Sequence, residues 1–147
     1  MNKLFPFIAF CCAAFTLSGQ SASLKPHLWK NRLLLIFADT DKNPLLLQQS
    51  AELKAVRKGL EERDMVLGLI IGDRRVKGLL SGHAAKWDAD ELRERYGKGS
   101  AFRVVLIGKD GGVKRTQTEV LGAKELFGVI DAMPMRRQEQ RERGQKR

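Results

Sequence analysis

The chain has 147 residues, with 27 lysines and arginines against 17 aspartates and glutamates, and a formal net charge of +10 at pH 7. This length suits a single domain, and two cysteines are too few for a disulfide-stapled scaffold. The basic excess favours acidic partners through long-range attraction that salt weakens.

Residues 1–23 are predicted to be a secretory signal peptide. A basic start at Lys3 is followed by an apolar run over residues 4–17 and by the small, polar exit SGQSAS. The run is shorter than the roughly 20 apolar residues that a spanning helix needs. We expect cleavage after Ala22 or Ser23, and the alternative is a retained anchor at the membrane surface.

Export and cleavage would leave a chain without thiols. Cys11 and Cys12 are the only cysteines, and both lie in the predicted signal peptide. The mature protein is expected in the periplasm or outside the cell, with no transmembrane span. Thiol exchange needs a thiolate nucleophile, so the sequence predicts neither a disulfide oxidoreductase nor a peroxidase.

The first part of the mature chain predicts a strand, a helix and a second, parallel strand. Leu33 to Ala38 and Met65 to Ile71 are continuous apolar runs, which are typical of strands buried on both faces. Asn43 and Pro44 are typical of a helix start. The helix is predicted to bury a stripe of apolar residues, namely Leu46, Leu53, Val56 and Leu60. The polar loop from Asp39 to Asn43 then lies at the carboxyl end of a central strand.

The next segment, residues 73–87, shows no periodicity and is predicted to be an irregular loop. Asp88 is predicted to cap a short helix that continues to Tyr96, because Glu91 occupies the capping-box position. A strand is predicted over residues 102–107.

The end of the chain predicts a hairpin and a last helix. Asp110 and Gly111 form a strong turn signal, after which residues 113–118 should return antiparallel at a sheet edge. The last helix is predicted over residues 123–133, with Pro134 as its end. Residues 136–147 are predicted to be a basic tail, disordered or helical, that behaves as a mobile arm.

The predicted order βαβαββα defines an α/β protein of the thioredoxin-like fold, with a mixed central sheet flanked by helices over residues 24–135. The segments WKNRLLLIFA, GLEERDMVLGLIIGD, FRVVLIGKDGGVKR and ELFGVIDAMPMRRQE resemble a bacterial family called domain of unknown function 4174. The resemblance covers roughly residues 29–139 and implies the same fold. The family has no established activity, so the resemblance implies no catalytic role.

Two features depart from redox-active thioredoxins. The loop from Asp39 to Asn43 contains no cysteine, and the segment GKGSAF before the hairpin strand contains no proline. The residues Asp39, Thr40 and Asp41 are nevertheless candidates for a site, because ligands of open α/β sheets favour the carboxyl ends of strands. A calcium loop is not predicted, since Pro44 and Ser50 replace the glycine and glutamate that it needs. Helix capping is the favoured interpretation of this loop.

His83 is the other catalytic candidate, with Ser81 and Asp88 as possible partners, but their spacing matches no known catalytic arrangement. A pocket that joins the Asp39 loop to His83 or Ser100 would favour an enzyme. His27 lies beside the export junction and is expected outside the folded body. Two distant histidines without cysteine ligands make a poor zinc site, and no glycine-rich phosphate motif follows a strand. The sequence therefore predicts neither a metal nor another cofactor.

The tail carries six basic and two acidic residues, which contributes +4 to a mature net charge of +9. A solvated tail that aids solubility and an anion-binding tail are equally compatible with this charge. Nucleic acid is not favoured, because the tail has no aromatic residues for stacking. Arg74, Arg75 and Lys77 form a smaller cluster. The anion-binding candidates are Arg136, Arg137, Arg141, Arg143, Lys146 and Arg147.

Three hypotheses for function follow. The first is an exported, non-redox binding or accessory module of the bacterial envelope, whose partner is an acidic envelope component or another envelope protein. The second is a thiol-independent enzyme that uses the loop from Asp39 to Asn43. The third is a polyanion-binding protein that acts through its basic tail.

Overall fold

The computed structural model describes residues 21–73 and 75–146. A five-stranded mixed sheet forms its centre, in the order β3-β2-β1-β4-β5. The strands are β1 (Arg32–Ala38), β2 (Met65–Ile71), β3 (Arg75–Gly78), β4 (Phe102–Ile107) and β5 (Val113–Gln117). β1 pairs with β2 in parallel, and the remaining neighbours are antiparallel.

The helices cover both faces of this sheet. A 3-10 helix (Ala22–His27) precedes β1, and a second one (Gly82–Lys86) follows β3. A π-helical turn (Arg93–Gly97) continues from the third α-helix. The α-helices are α1 (Pro44–Ala55), α2 (Arg57–Glu62), α3 (Ala89–Leu92), α4 (Ala123–Asp131) and α5 (Pro134–Gln145).

The alternation of side chains along β1 creates two apolar layers. Leu34 and Ile36 point to the layer that contains Leu53 of α1 and Leu126 of α4. The alternate side chains, Leu33, Leu35 and Phe37, pack in the other layer with Leu24, Trp87 and Leu92. Every residue of β1 and β2 is buried, which explains their continuous apolar runs.

Gly68 of β2 is needed for packing in the second layer. A Cβ atom at this position would lie 2.3 Å from the ring of Trp87. Only glycine therefore allows this indole ring to pack against β2 at its present distance.

The structure confirms the predicted thioredoxin-like arrangement and corrects three details. Residues 75–78 form the edge strand β3, where the sequence predicted a loop, because they pair antiparallel with Gly68 to Ile71. The single helix predicted after Pro44 is divided at Val56 into α1 and α2. The helix predicted over residues 123–133 is α4, which ends at Asp131, but it is not the last helix, because Pro134 begins the additional helix α5.

Candidate functional site

A cavity of about 850 Å³ opens at the carboxyl ends of β1 and β2. The loop that follows β1 forms one wall, and the turn after β2 and the end of α3 form the others. The crossover between the parallel strands β1 and β2 brings the first two walls together, and hydrogen bonds from Arg93 to the carbonyls of Ala38 and Ile70 hold the third. The lining residues are Asp39, Thr40, Asp41, Ile71, Gly72, Asp73, Arg75, Asp90, Arg93 and Glu94.

Asp39 is held by hydrogen bonds inside its own loop. Its Oδ1 accepts hydrogen bonds from the backbone N–H of Thr40 and from Nδ2 of Asn43, both at 2.8 Å. Asn43 in turn caps α1, because its Oδ1 accepts from the N–H groups of Leu45 and Leu46 at 3.0 and 3.4 Å. The hydrogen bonds from Asn43 and Thr40 lower the pKa of Asp39. Asp39 is therefore a carboxylate that orients the helix cap and is unsuited to donate a proton.

Two arginines contribute positive charge to the cavity. Nη2 of Arg93 donates to the backbone carbonyls of Ala38 and Ile70 at 3.3 and 3.1 Å, near the carboxyl ends of β1 and β2. Its Nε is buried and has no hydrogen-bond partner within residues 21–73 and 75–146. Arg75 lies 3.8 Å from the carboxylate of Asp41.

The cavity has an acidic excess, because five carboxylate residues share its lining with the two arginines. This local charge is opposite in sign to the net charge of +10 for the whole chain. Asp90, Arg93 and Glu94 come from a segment about fifty residues after the Asp39 loop, so no local pattern in the sequence could link them to it.

His83 and Ser100 do not line this cavity. The exposed His83 lies at a separate cavity of about 390 Å³, together with His27 and Trp87. The Oγ atom of Ser100 accepts a hydrogen bond from Nη2 of Arg103 at 2.9 Å. The structure does not assemble a catalytic group from the Asp39 loop and His83.

His27 belongs to the folded body, and the prediction that placed it outside was wrong. Its Nε2 accepts a hydrogen bond from Nε1 of Trp87, and its Nδ1 lies at hydrogen-bond distance from Oδ1 of Asn31, both at 3.1 Å. The ring also meets the indole edge to face, with centroids 5.6 Å apart. His27 therefore anchors the segment before β1 to the second apolar layer.

The basic tail is helical over most of its length, and the prediction of a mobile arm was wrong there. The side chain of Arg136 is fully buried, with Nη2 at 2.7 Å from Oε1 of Glu62 and Nε at 3.3 Å from Oδ1 of Asp131. These contacts raise the pKa of Arg136, although burial of the guanidinium opposes that shift. Nη1 of Arg143 donates to the carbonyl oxygen of Glu62 at 2.9 Å. Arg136 is thus paired within the chain and is not available to an external anion.

Glu139 ties the same helix to the start of β1. Its carboxylate accepts two hydrogen bonds from the buried Arg32, at 3.1 and 3.2 Å, and lies 2.8 Å from Nζ of Lys109. Burial raises the pKa of Glu139, but the hydrogen bonds and charges of Arg32 and Lys109 outweigh burial and lower it. Charged contacts dock α5 where the sequence offers no apolar stripe.

Four of the remaining anion-binding candidates can be placed. Arg137, Arg141 and Arg143 are exposed along α5, and Lys146 is exposed just after its end. Arg74 and Arg147 lie outside the described residues, as do Cys11 and Cys12. Lys77 is exposed on the edge strand β3, away from the lining of the large cavity.

Residues 21–73 and 75–146 contain no cluster of three or more histidine, cysteine, aspartate or glutamate side chains arranged to hold a metal ion. Within the same residues, no helix has the length and apolar character required to cross a bilayer.

The strand order and the helices on both faces define a thioredoxin-like protein. The fold is similar to that of a reduced 2-Cys peroxiredoxin from Plasmodium vivax, with a TM-score of 0.51 and 17% sequence identity over 80% of this chain and 84% of the peroxiredoxin chain. The family model for the domain of unknown function DUF4174 matches residues 23–139, and the chain belongs to this family. A search of curated proteins finds no match.

Proposed function

We propose that this chain is an exported, thioredoxin-like binding module of the bacterial envelope that recognises its partner at the carboxyl edge of the sheet without thiol chemistry. The observation that supports this proposal is the cavity of about 850 Å³ at that edge, lined by charged side chains. Open α/β sheets bind ligands in this position because the loops after neighbouring parallel strands converge there.

The loop that lines this cavity contains no nucleophile for thiol exchange. Asp39, Thr40 and Asp41 follow β1, and the only cysteines in the chain are Cys11 and Cys12. A shared fold does not transfer chemistry, so similarity to a peroxiredoxin supports the architecture alone. Recognition through hydrogen bonds and charge is the chemistry that these side chains can perform.

The geometry gives less support to a thiol-independent enzyme. A general base needs an orienting partner and a reacting group within about 3 Å. Asp39 has a lowered pKa and uses Oδ1 for Thr40 and Asn43, while His83 lies at a different cavity. The binding hypothesis needs no such assembly.

The test is site-specific photo-crosslinking in living bacteria. The amino acid p-benzoylphenylalanine replaces Thr40 at the cavity in one strain, and replaces the exposed Lys54 of α1, which is outside the cavity lining, in the control strain. We expect a discrete adduct in the envelope fraction from position 40 and none from position 54.

Two results would contradict the proposal. Equal adducts from both positions, or no adduct from position 40 at matched expression, would show that the cavity is not the binding site. Accumulation of the chain in the cytoplasm with residues 1–20 still attached would contradict the proposed export.

A further inference from the structure

The segment at the predicted export junction is part of the folded body. Ala22–His27 form a 3-10 helix, and Leu24 is completely buried against the second apolar layer. The backbone N–H of Leu24 donates to the carbonyl oxygen of Ser21 at 3.0 Å. Cleavage after Ser23, one of the two expected sites, would place a charged N-terminus at this buried leucine.

The carboxylate of Glu91 on α3 receives three hydrogen bonds from this segment. The N–H of Ala22 donates to Oε1 at 2.7 Å, and the N–H and hydroxyl of Ser23 donate to Oε2 at 3.3 and 2.5 Å. The Ser23 hydroxyl also accepts from the N–H of Asp88 at 3.2 Å, and Asp88 caps α3 through the N–H of Glu91. Hydrogen bonds among Ser23, Asp88 and Glu91 therefore attach this segment to the start of α3.

These contacts keep Glu91 ionised. Hydrogen bonds from this segment, of which that from the Ser23 hydroxyl contributes most, lower the pKa of Glu91 to about 2, while partial burial acts in the opposite direction. An ionised carboxylate that faces the backbone nitrogen of Ala22 at 2.7 Å would bind an ammonium group there more strongly than an amide.

The sequence places a processing signal at the bond before this nitrogen. Gly19 and Ser21 stand three residues and one residue before Ala22, which gives the small-x-small pattern that leader peptidases recognise. Ser21 and Ser23 give the same pattern before Leu24, so the contacts of Glu91 distinguish the two bonds. Hydrolysis of the peptide bond between Ser21 and Ala22 consumes one water molecule, leaves a carboxylate on Ser21 and produces an α-ammonium group on Ala22. Cleavage accompanies translocation of the unfolded chain, so the later burial of this region does not hinder it.

Cleavage at either later bond would remove contacts of Glu91. A start at Ser23 would lose the shortest backbone contact, and a start at Leu24 would lose all three donors and leave a partly buried carboxylate without them. A start at Ala22 removes Ser21, whose carbonyl oxygen accepts from the N–H of Leu24, but it retains the three donors of Ala22 and Ser23 and adds a positive charge at 2.7 Å.

We propose that the exported chain begins at Ala22 and that the carboxylate of Glu91 binds the α-ammonium group of this new N-terminus. This inference rests on the proposed export. It identifies a processing site and an amine-binding site.

The first experiment expresses the full chain in an exporting bacterium and determines the N-terminus of the envelope-fraction protein by intact mass and N-terminal sequencing. We expect Ala22 as the first residue. A start at Ser23 or Leu24 would overturn this inference and leave export intact, whereas a product that retains residues 1–20 would overturn export itself.

The second experiment measures the rate at which an amine-selective aldehyde modifies the α-amine of the processed protein. We expect modification to be at least about ten-fold slower in the native protein than in the E91Q variant, which corresponds to about one pKa unit of protection. Glu52→Gln is the matched control, because Glu52 is an exposed carboxylate of α1 that lies outside the cavity lining and makes none of the contacts with Ala22 and Ser23.

A third measurement keeps the inference testable if E91Q fails to fold. The same rate is measured for the wild-type protein in its native state and in denaturing urea. We expect protection in the native state alone. Equal rates in the two states, or equal rates in wild type and a folded E91Q variant, would show that Glu91 does not bind the ammonium group.

Discussion

Replacement of Arg136 by methionine should destabilise the folded protein, because it removes the central cation of the contacts that dock α5. The guanidinium is fully buried and makes three hydrogen bonds, to Oε1 and the carbonyl oxygen of Glu62 and to Oδ1 of Asp131. Methionine keeps the length and apolar stem of the side chain, so the change mainly removes charge and hydrogen bonding.

The structure limits the size of this loss. Breaking a buried ion pair from one side costs about 3–5 kcal/mol when the abandoned partner stays buried. Here Glu62 is 58% exposed, and Asp131 keeps its contact with Arg63 at 2.6 Å. The carbonyl oxygen of Glu62 also keeps its hydrogen bond from Arg143. We therefore expect the free energy of unfolding to fall by about 2–4 kcal/mol.

Urea denaturation followed by circular dichroism measures this change. With an m value of about 2 kcal/mol/M for a domain of this size, the urea midpoint should fall by roughly 1–2 M. The control is Arg137→Met, on the exposed side of the same helix, which should change the free energy of unfolding by less than about 0.5 kcal/mol. Equal stabilities for R136M and R137M would refute the conclusion that charged contacts dock α5.

Three further predictions concern other parts of the molecule. The pKa of Glu91 in the folded protein is about 2, against a usual 4.5, so its contribution to stability is complete above pH 4.5 and is lost as the pH falls through 2. The urea midpoints of wild type and E91Q should therefore converge as the pH falls over that range. Gly68→Ala should lower the free energy of unfolding by about 1–3 kcal/mol, because the added methyl group clashes with the indole ring of Trp87. Gly128→Ala, at an open position in α4, should raise the free energy of unfolding by about 0.5–1 kcal/mol in the same urea assay. The hypothesis of polyanion binding through the basic tail predicts that the double variant R137A/R141A binds anionic vesicles more weakly than wild type at low salt, by about 1 kcal/mol for each lost charge. Co-sedimentation with the vesicles measures this binding. Equal co-sedimentation of the variant and wild type would contradict polyanion binding through α5.

The central strands and the hairpin could be predicted because each has a strong local signal. Leu33 to Ala38 and Met65 to Ile71 are apolar throughout, and Asp110 and Gly111 specify the turn. Strand β3 was missed because its exposed Arg75 and Lys77 alternate with Val76 and Gly78, so it lacks a clear apolar face. Its pairing with β2 depends on a tertiary contact.

The docking of α5 was missed for a different reason, although a helical tail was one of the two predicted alternatives. The helix has almost no apolar residues, and hydrophobic periodicity cannot detect a helix that charged contacts attach to the protein. Glu62 of α2, which pairs with Arg136, and Arg32 of β1, which pairs with Glu139, lie 74 and 107 residues away in the sequence.

The candidate site was predicted in part. Its first wall, Asp39 to Asp41, follows from the position of the loop after a buried strand. Arg93 and Asp90 could not be assigned to the site, because only the folded chain brings α3 to the carboxyl ends of β1 and β2.

The central claim is that this thioredoxin-like protein works without thiol chemistry, and an assay of peroxide consumption and insulin disulfide reduction tests it most directly. The assay uses the protein as the cell produces it, with the C11S/C12S variant of the full chain expressed in parallel and heat-treated protein as the baseline. We predict no turnover above that baseline for either protein, because the loop from Asp39 to Asn43 contains no sulfur nucleophile. Turnover well above the baseline in either assay would contradict the claim.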